Sequence, residues 1–235
     1  MLFDVERIGE HEILKLTLND PSSRNAFSLK AARELADLIQ PKDFKALILT
    51  ARGRVFCSGG QLDDYAAMTN GDEGRKVNDE IRDVLESLAT LDRPTVAAIS
   101  GDAFGGGVEL ISCFDHVIAA SHAMMALWQR KIGLSFGWGG GARLERRLGA
   151  AALRRLSLST QAMTAREAQM LGLVDQIAQD HQILTVAQDH ARRLIGLPHE
   201  PLMTFKNFSG ESEAGDFNRL WWNASHQRVL ATRRK

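Results

Sequence analysis

Only two cysteines, Cys57 and Cys113, occur in the 235 residues, so there is no disulfide framework and no metal-ligand spacing. No apolar run approaches the roughly 18 residues that span a bilayer, which argues against membrane insertion. Charge of one sign is lacking too: 29 Lys and Arg stand against 29 Asp and Glu. A net charge of zero gives no global basic field to attract nucleic acid or an anionic membrane. The basic clusters Arg146-Arg147, Arg154-Arg155, Arg192-Arg193 and Arg233-Arg234-Lys235 read as solvated helix faces or local phosphate contacts. Met1 to Glu6 carries acids where a signal peptide has a basic and then an apolar block, and with the sparse cysteines this gives the expectation of a cytoplasmic protein. The seven histidines are scattered, with no pair at helical ligand spacing, so no metal is expected. Internal repeats and low-complexity linkers are absent.

What is present is enough apolar residue, 44 % of the chain, for one large core or two small ones. Alternation over Leu2 to Ile8 and Ile13 to Leu18 predicts an opening β-hairpin, ended by the polar turn Asn19 to Ser23. Ser28 is placed to cap a helix through Leu38, and Val77 to Leu91 is a second helix. Ala46 to Thr50, Pro94 to Ile99 and Val117 to Ala120 read as buried strands, so strand and helix alternate as in an α/β core. Beyond Gly137 helices dominate, expected over Ala142–Leu148, Ala150–Leu158, Ala165–Leu171, Leu184–Ile195 and Glu211–Leu230. The division drawn from this is a core over residues 1–182 and a C-terminal helical segment over 183–235. Trp221 and Trp222 point to different faces of the last helix, which suits one buried ring and one engaged with a partner.

Gly105-Gly106-Gly107 stands where a helix should start, and glycine costs roughly 1 kcal/mol there relative to alanine. Close approach of a ligand to bare backbone is the compensating reason. Unpaired N–H groups at a helix start suit a developing oxyanion, and Glu109 then faces the same pocket. A second glycine loop, Arg54 to Leu62 with Gly59-Gly60, follows another strand, which supplies the two donors of an oxyanion hole. Glu109 also has a plainer reading, as an acid favoured in the first turn of a helix.

The two loops in this order resemble the crotonase family, also called enoyl-CoA hydratase/isomerase. The resemblance runs through Leu18-Asn19-Asp20-Pro21, Arg24-Asn25-Ala26-Phe27, Phe56 to Gly60, Gly105 to Leu110, Cys113-Phe114-Asp115, Gly133-Leu134, Gly137 to Gly140 and Ala165 to Val174. It implies an α/β spiral of ββα units with a helical C-terminal region. It also implies a homotrimer or dimer of trimers, and a coenzyme A thioester as substrate with no cofactor beyond its coenzyme A moiety. By the same resemblance, Gly60 and Gly106 supply the oxyanion hole. Arg24, Ala26, Cys57, Ser58 and Gly60 lie along the coenzyme A, although Arg24 reads equally as a solvated turn residue. Glu109 matches the first catalytic glutamate of family hydratases.

At the second glutamate the pattern departs, because Gln129 stands there and an amide neither gives nor takes a proton at neutral pH. A slip of one position would put Arg130 there, and Gln129 also reads as an ordinary polar residue after a strand. The segment resembles the ethylmalonyl-CoA and methylmalonyl-CoA decarboxylase branch, in which loss of carbon dioxide yields the same enolate. In that expectation Gln129, with Arg130 beside it, holds the departing carboxylate. Hydratase or isomerase activity is the alternative, and a non-catalytic acyl-CoA binder is a rival of another class. A serine hydrolase is a further rival, because Gly133-Leu134-Ser135-Phe136-Gly137 fits the nucleophile-elbow pattern, with Asp175 and His181 or His190 following. Its required preceding strand is missing. The run Gly137-Trp138-Gly139-Gly140-Gly141 reads as a loop or helix start over the acyl pocket.

Overall fold

The computed structural model describes residues 1–10, 12–41, 43–208 and 211–232. Arg233-Arg234-Lys235 lie outside the described residues. The chain opens with β1 (Phe3–Ile8) and β2 (Ile13–Leu18), the expected antiparallel hairpin. Next comes α1 (Leu29–Ile39), capped by Ser28, whose Oγ accepts from the Ala31 N–H, with Ala31, Ala32, Leu35 and Ile39 on its buried face. β3 (Ala46–Ala51) is buried along its whole length, as a parallel strand covered on both faces must be. β4 (Val55–Cys57), α2 (Leu62–Ala66) and α3 (Gly71–Ala89) follow. α3 starts two turns earlier than periodicity predicts. Asn70 caps it and Asp72 and Glu73 fill its first turn, and those polar residues carry no apolar signal.

The remaining core comprises β5 (Thr95–Ile99), β6 (Asp102–Phe104), α4 (Gly106–Ile111), β7 (His116–Ala120), β8 (Met124–Ala126), α5 (Gly140–Leu148), α6 (Ala150–Ser159), β9 (Met163–Thr164), α7 (Ala165–Met170) and β10 (Gln176–Ala178). Among the described residues the strands form two sheets. The larger runs β1-β2-β3-β5-β7-β10 and is parallel from β2 onward, and the smaller runs β4-β6-β8-β9. Each of β3, β5 and β7 is followed by one strand of the smaller sheet, β4, β6 and β8 respectively, before the chain enters a helical segment. These are successive turns of a ββα spiral. β4 and β6 pair in parallel, so their C-terminal exits lie side by side, and the two glycine loops follow those exits.

α8 (Ile183–Ile195) buries Ile183, Ala187 and Ala191 against β3, β5 and β7. The boundary drawn at 182/183 thus falls at a helix that packs on the core sheet. α9 (Leu202–Lys206), α10 (Glu213–Leu220) and α11 (Ala224–Ala231) complete the chain. The single helix expected over Glu211–Leu230 is broken, because Trp222 takes a left-handed φ of 68° and Asn223 caps a new helix by accepting from the His226 N–H. Neither Trp221 nor Trp222 is buried, contrary to expectation, since both sit at that break rather than on one helix. No helix among the described residues is long and apolar enough to cross a membrane.

Candidate active site

Each glycine of the run 105–107 has its own reason. Gly105 has φ 53° and ψ −116°, a backbone conformation foreign to L-residues. A Cβ on Gly106 would overlap the six-membered ring of Trp138, and one on Gly107 would overlap the Cys57 carbonyl. The first glycine loop approaches equally closely: a Cβ on Gly59 would lie 3.1 Å from the Phe104 carbonyl oxygen and 3.3 Å from the Gly106 nitrogen. Among the described residues, the N–H groups of Gly60 and Gly106 have no hydrogen-bond acceptor within the protein. Two unpaired donors on adjacent loops can stabilise one oxyanion.

The Gly59–Gly60 loop is strapped to residues 24–27. Phe27 N–H donates to the Gly59 carbonyl at 2.7 Å, and Ser58 N–H to the Arg24 carbonyl at 3.1 Å. Buried Asn25 anchors this strap by donating to the Arg52 and Val55 carbonyls (2.8 and 2.7 Å) and accepting from the Asp20 N–H. Arg24 is exposed at the rim, and Ala26 and Ser58 are half-buried beside it. The Cys57 side chain is fully buried and its thiol is pushed up to about 12 by burial, so this residue offers a ligand only its backbone.

Glu109, in the first turn of α4, is 2 % exposed. Its Oε2 accepts from the Trp138 N–H (2.9 Å) and the Gly140 N–H (3.1 Å), and its Oε1 from Gln129 Nε2 (3.1 Å) and, at 3.5 Å, the Gly137 N–H. Gly140 must be glycine, since a Cβ there would overlap the Glu109 side chain. Gln129 opens a 3-10 turn, Gln129–Ile132, and is buried. It is held beside the glycine run because the neighbouring indole of Trp128 stacks on Phe104 at 4.0 Å. Its Oε1 is buried and has no hydrogen-bond partner among the described residues. Arg130 points elsewhere, donating to the Leu158 carbonyl from an exposed position.

The residues that hold Trp138 carry no motif of their own in the sequence. Its Nε1–H donates to Asn78 Oδ1 (2.8 Å), which also accepts from the Tyr65 hydroxyl (2.9 Å). Burial raises the Tyr65 phenol pKa, which keeps it protonated as a donor. Buried Arg143 donates to the Trp138 carbonyl at 2.7 Å and fixes the loop from below. The run of glycines around Trp138 was the one available signal.

The serine-hydrolase arrangement is not assembled. Ser135 is exposed and follows a 3-10 turn rather than a strand, its hydroxyl donates to the adjacent Phe136 carbonyl, and Asp175 is engaged by Arg147 and the Val117 N–H.

A family model described as enoyl-CoA hydratase/isomerase matches residues 9–213. The chain belongs to the enoyl-CoA hydratase/isomerase family. It is 34 % identical over 197 residues to enoyl-CoA hydratase domain-containing protein 2 of Bos taurus, covering 81 % of this chain and 66 % of that protein. It is 34 % identical over 176 residues to methylglutaconyl-CoA hydratase of Mus musculus, covering 72 % of this chain and 55 % of that protein. The chain thus spans between about half and two thirds of these relatives' lengths. The crystal structure of an enoyl-CoA hydratase from Bacillus anthracis superposes with a TM-score of 0.91 at 25 % identity, covering 100 % of this chain and 96 % of that one. The enoyl-CoA hydratase of Thermoplasma volcanium gives 0.89 at 26 %, covering 100 % and 98 %. The expected crotonase-type α/β fold is therefore the observed one. The decarboxylase branch finds no counterpart among these relatives, which are named as hydratases.

Proposed function

We propose that the chain is an enoyl-CoA hydratase, adding water across the double bond of a short 2-enoyl coenzyme A thioester. The observation that carries this reading is the Glu109–Gln129 pair: a carboxylate and an unpartnered amide oxygen, side by side and buried, next to two unpaired glycine N–H groups. Both hydrogens of one water molecule have acceptors there, Glu109 Oε1 and Gln129 Oε1. The glycine N–H groups of residues 60 and 106 take the thioester oxygen. Glu109 removes a proton as the water oxygen bonds to the β-carbon, and the π electrons move to the thioester oxygen as an enolate held by those N–H groups. The same proton then passes from Glu109 to the α-carbon, so that one water is consumed and none of its atoms is lost. Gln129 orients the water and exchanges no proton.

Decarboxylation is less well supported. A substrate carboxylate beside Glu109 would meet a like charge, one of the two Gln129 Nε2 hydrogens is already given to Glu109, and Arg130 is turned away. The family relatives' names point the same way. Arg24, Ala26, Ser58 and the Cys57 backbone are proposed to line the coenzyme A path, and a homotrimer is the proposed assembly. Incubation with crotonyl-CoA in oxygen-18 water tests the reading. Label in a 3-hydroxy ester supports it, and unchanged crotonyl-CoA counts against it.

A further inference from the structure

The indole of Trp138 lies against both glycines of the oxyanion hole. Its ring atoms occupy the Cβ direction of Gly106, and Cζ2 lies 3.4 Å from a Cβ built on Gly60. A carbonyl oxygen accepting from both N–H groups sits about 2.9 Å from each nitrogen, and its carbon one bond of about 1.2 Å farther on. The acyl group attached to that carbon therefore starts in the neighbourhood of the indole. The ring is also fixed in place. It is 4 % exposed, Nε1–H is committed to Asn78, and Phe27 packs against it with centroids 5.8 Å apart. Asn78 is held in turn by donating to the Gly74 carbonyl at 2.7 Å, so α3 anchors the ring that the loop before α5 carries. Arg82, also on α3, ties that loop by donating to the Gly137 carbonyl.

We propose that Trp138 is the specificity-determining residue of this site: its indole, latched by Asn78, forms the end wall of the acyl pocket and restricts the chain to short acyl groups. This rests on the acyl-CoA reading above but not on the reaction performed. Its backbone N–H serves Glu109 in any case, so the side chain can be cut back without removing that donor.

The test uses the full chain and saturated esters that cannot react. Calorimetric affinities for butyryl-CoA and decanoyl-CoA are measured for the parent, Trp138→Ala and Asn78→Ala, with thermal melts to establish folding. The parent is expected to prefer butyryl-CoA by about tenfold or more, the scale on which a pocket discriminates by a few methylenes. Trp138→Ala should lower that preference by at least about tenfold through tighter decanoyl-CoA binding, with Asn78→Ala moving part of the way. If Trp138→Ala does not fold, Trp138→Leu takes its place, because it retains apolar packing while shortening the wall. Equal binding of both esters by the parent, or an unchanged preference in the folded variants, overturns the proposal. Binding of neither ester to the parent overturns the acyl-CoA reading itself, and the inference with it.

Discussion

Glu109 and Gln129 share a buried hydrogen bond of 3.1 Å that leaves the amide oxygen of Gln129 without a partner among the described residues. The amide cannot satisfy both of its ends inside the protein, and an unpaired buried acceptor costs about 1–3 kcal/mol. That cost is recovered when a donor arrives, which is how a site holds a water or substrate hydrogen in place. Glu109 is held chiefly through Oε2, which has two backbone donors within 3.1 Å, and this leaves Oε1 to take up a proton.

Replacing Glu109 by Gln removes the only proton-transfer group of the account while keeping its size. Turnover is expected to fall by about a hundredfold or more with coenzyme A ester affinity unchanged. Steady-state rates beside calorimetric affinities check this. A variant that keeps its rate would show that the proton travels elsewhere.

Gln129→Met removes the unpaired acceptor and leaves the proton carrier. The expected result is a kcat lower by about ten- to a hundredfold with KM little changed, because the lost group contacts water rather than the thioester. A change confined to KM would make Gln129 a substrate contact instead.

The three glycines should separate in their effects. Gly107→Ala drives a methyl into the Cys57 carbonyl, and Gly105→Ala forces a glycine-only conformation, costing about 1–3 kcal/mol. Gly106→Ala meets the Trp138 ring, a side chain rather than backbone. Thermal melts should place Gly107→Ala and Gly105→Ala lowest, with Gly106→Ala losing turnover out of proportion to its smaller loss of stability.

These glycines were legible because glycine is unfavourable at a helix start unless something requires it, and so was Glu109, whose place in the first turn follows from the run before it. The larger sheet was legible for the same kind of reason, as β3 and β5 are continuous apolar runs. The smaller sheet was not. Its strands are only two or three residues long, too short for any period to register. The backbone donors to Glu109 were also hidden, since they are N–H groups brought from 28 to 31 residues away by the spiral. The helix break at Trp222 depends on a left-handed residue that propensity does not foresee.

His190, on α8, faces the His116 ring with centroids 4.2 Å apart. Burial first, then His116 and Arg193, lower its pKa below the ordinary 6.5. The unfolded chain therefore binds the proton more readily, so the stability tied to His190 is present above about pH 6.5 and is lost as the pH falls below it. Thermal melts between about pH 8 and pH 5.5 should show this loss, and His190→Gln should reduce it. An identical pH profile in the variant would refute the assignment.

In the proposed reaction water, not carbon dioxide, is the small molecule exchanged at the Glu109–Gln129 pair. Mass spectrometry of coenzyme A esters after separate incubations with crotonyl-CoA, methylmalonyl-CoA and ethylmalonyl-CoA tests it most directly. Hydration gives a product heavier by one water from crotonyl-CoA and leaves the malonyl-type esters unchanged. Loss of carbon dioxide from either malonyl-type ester, with crotonyl-CoA untouched, would contradict it.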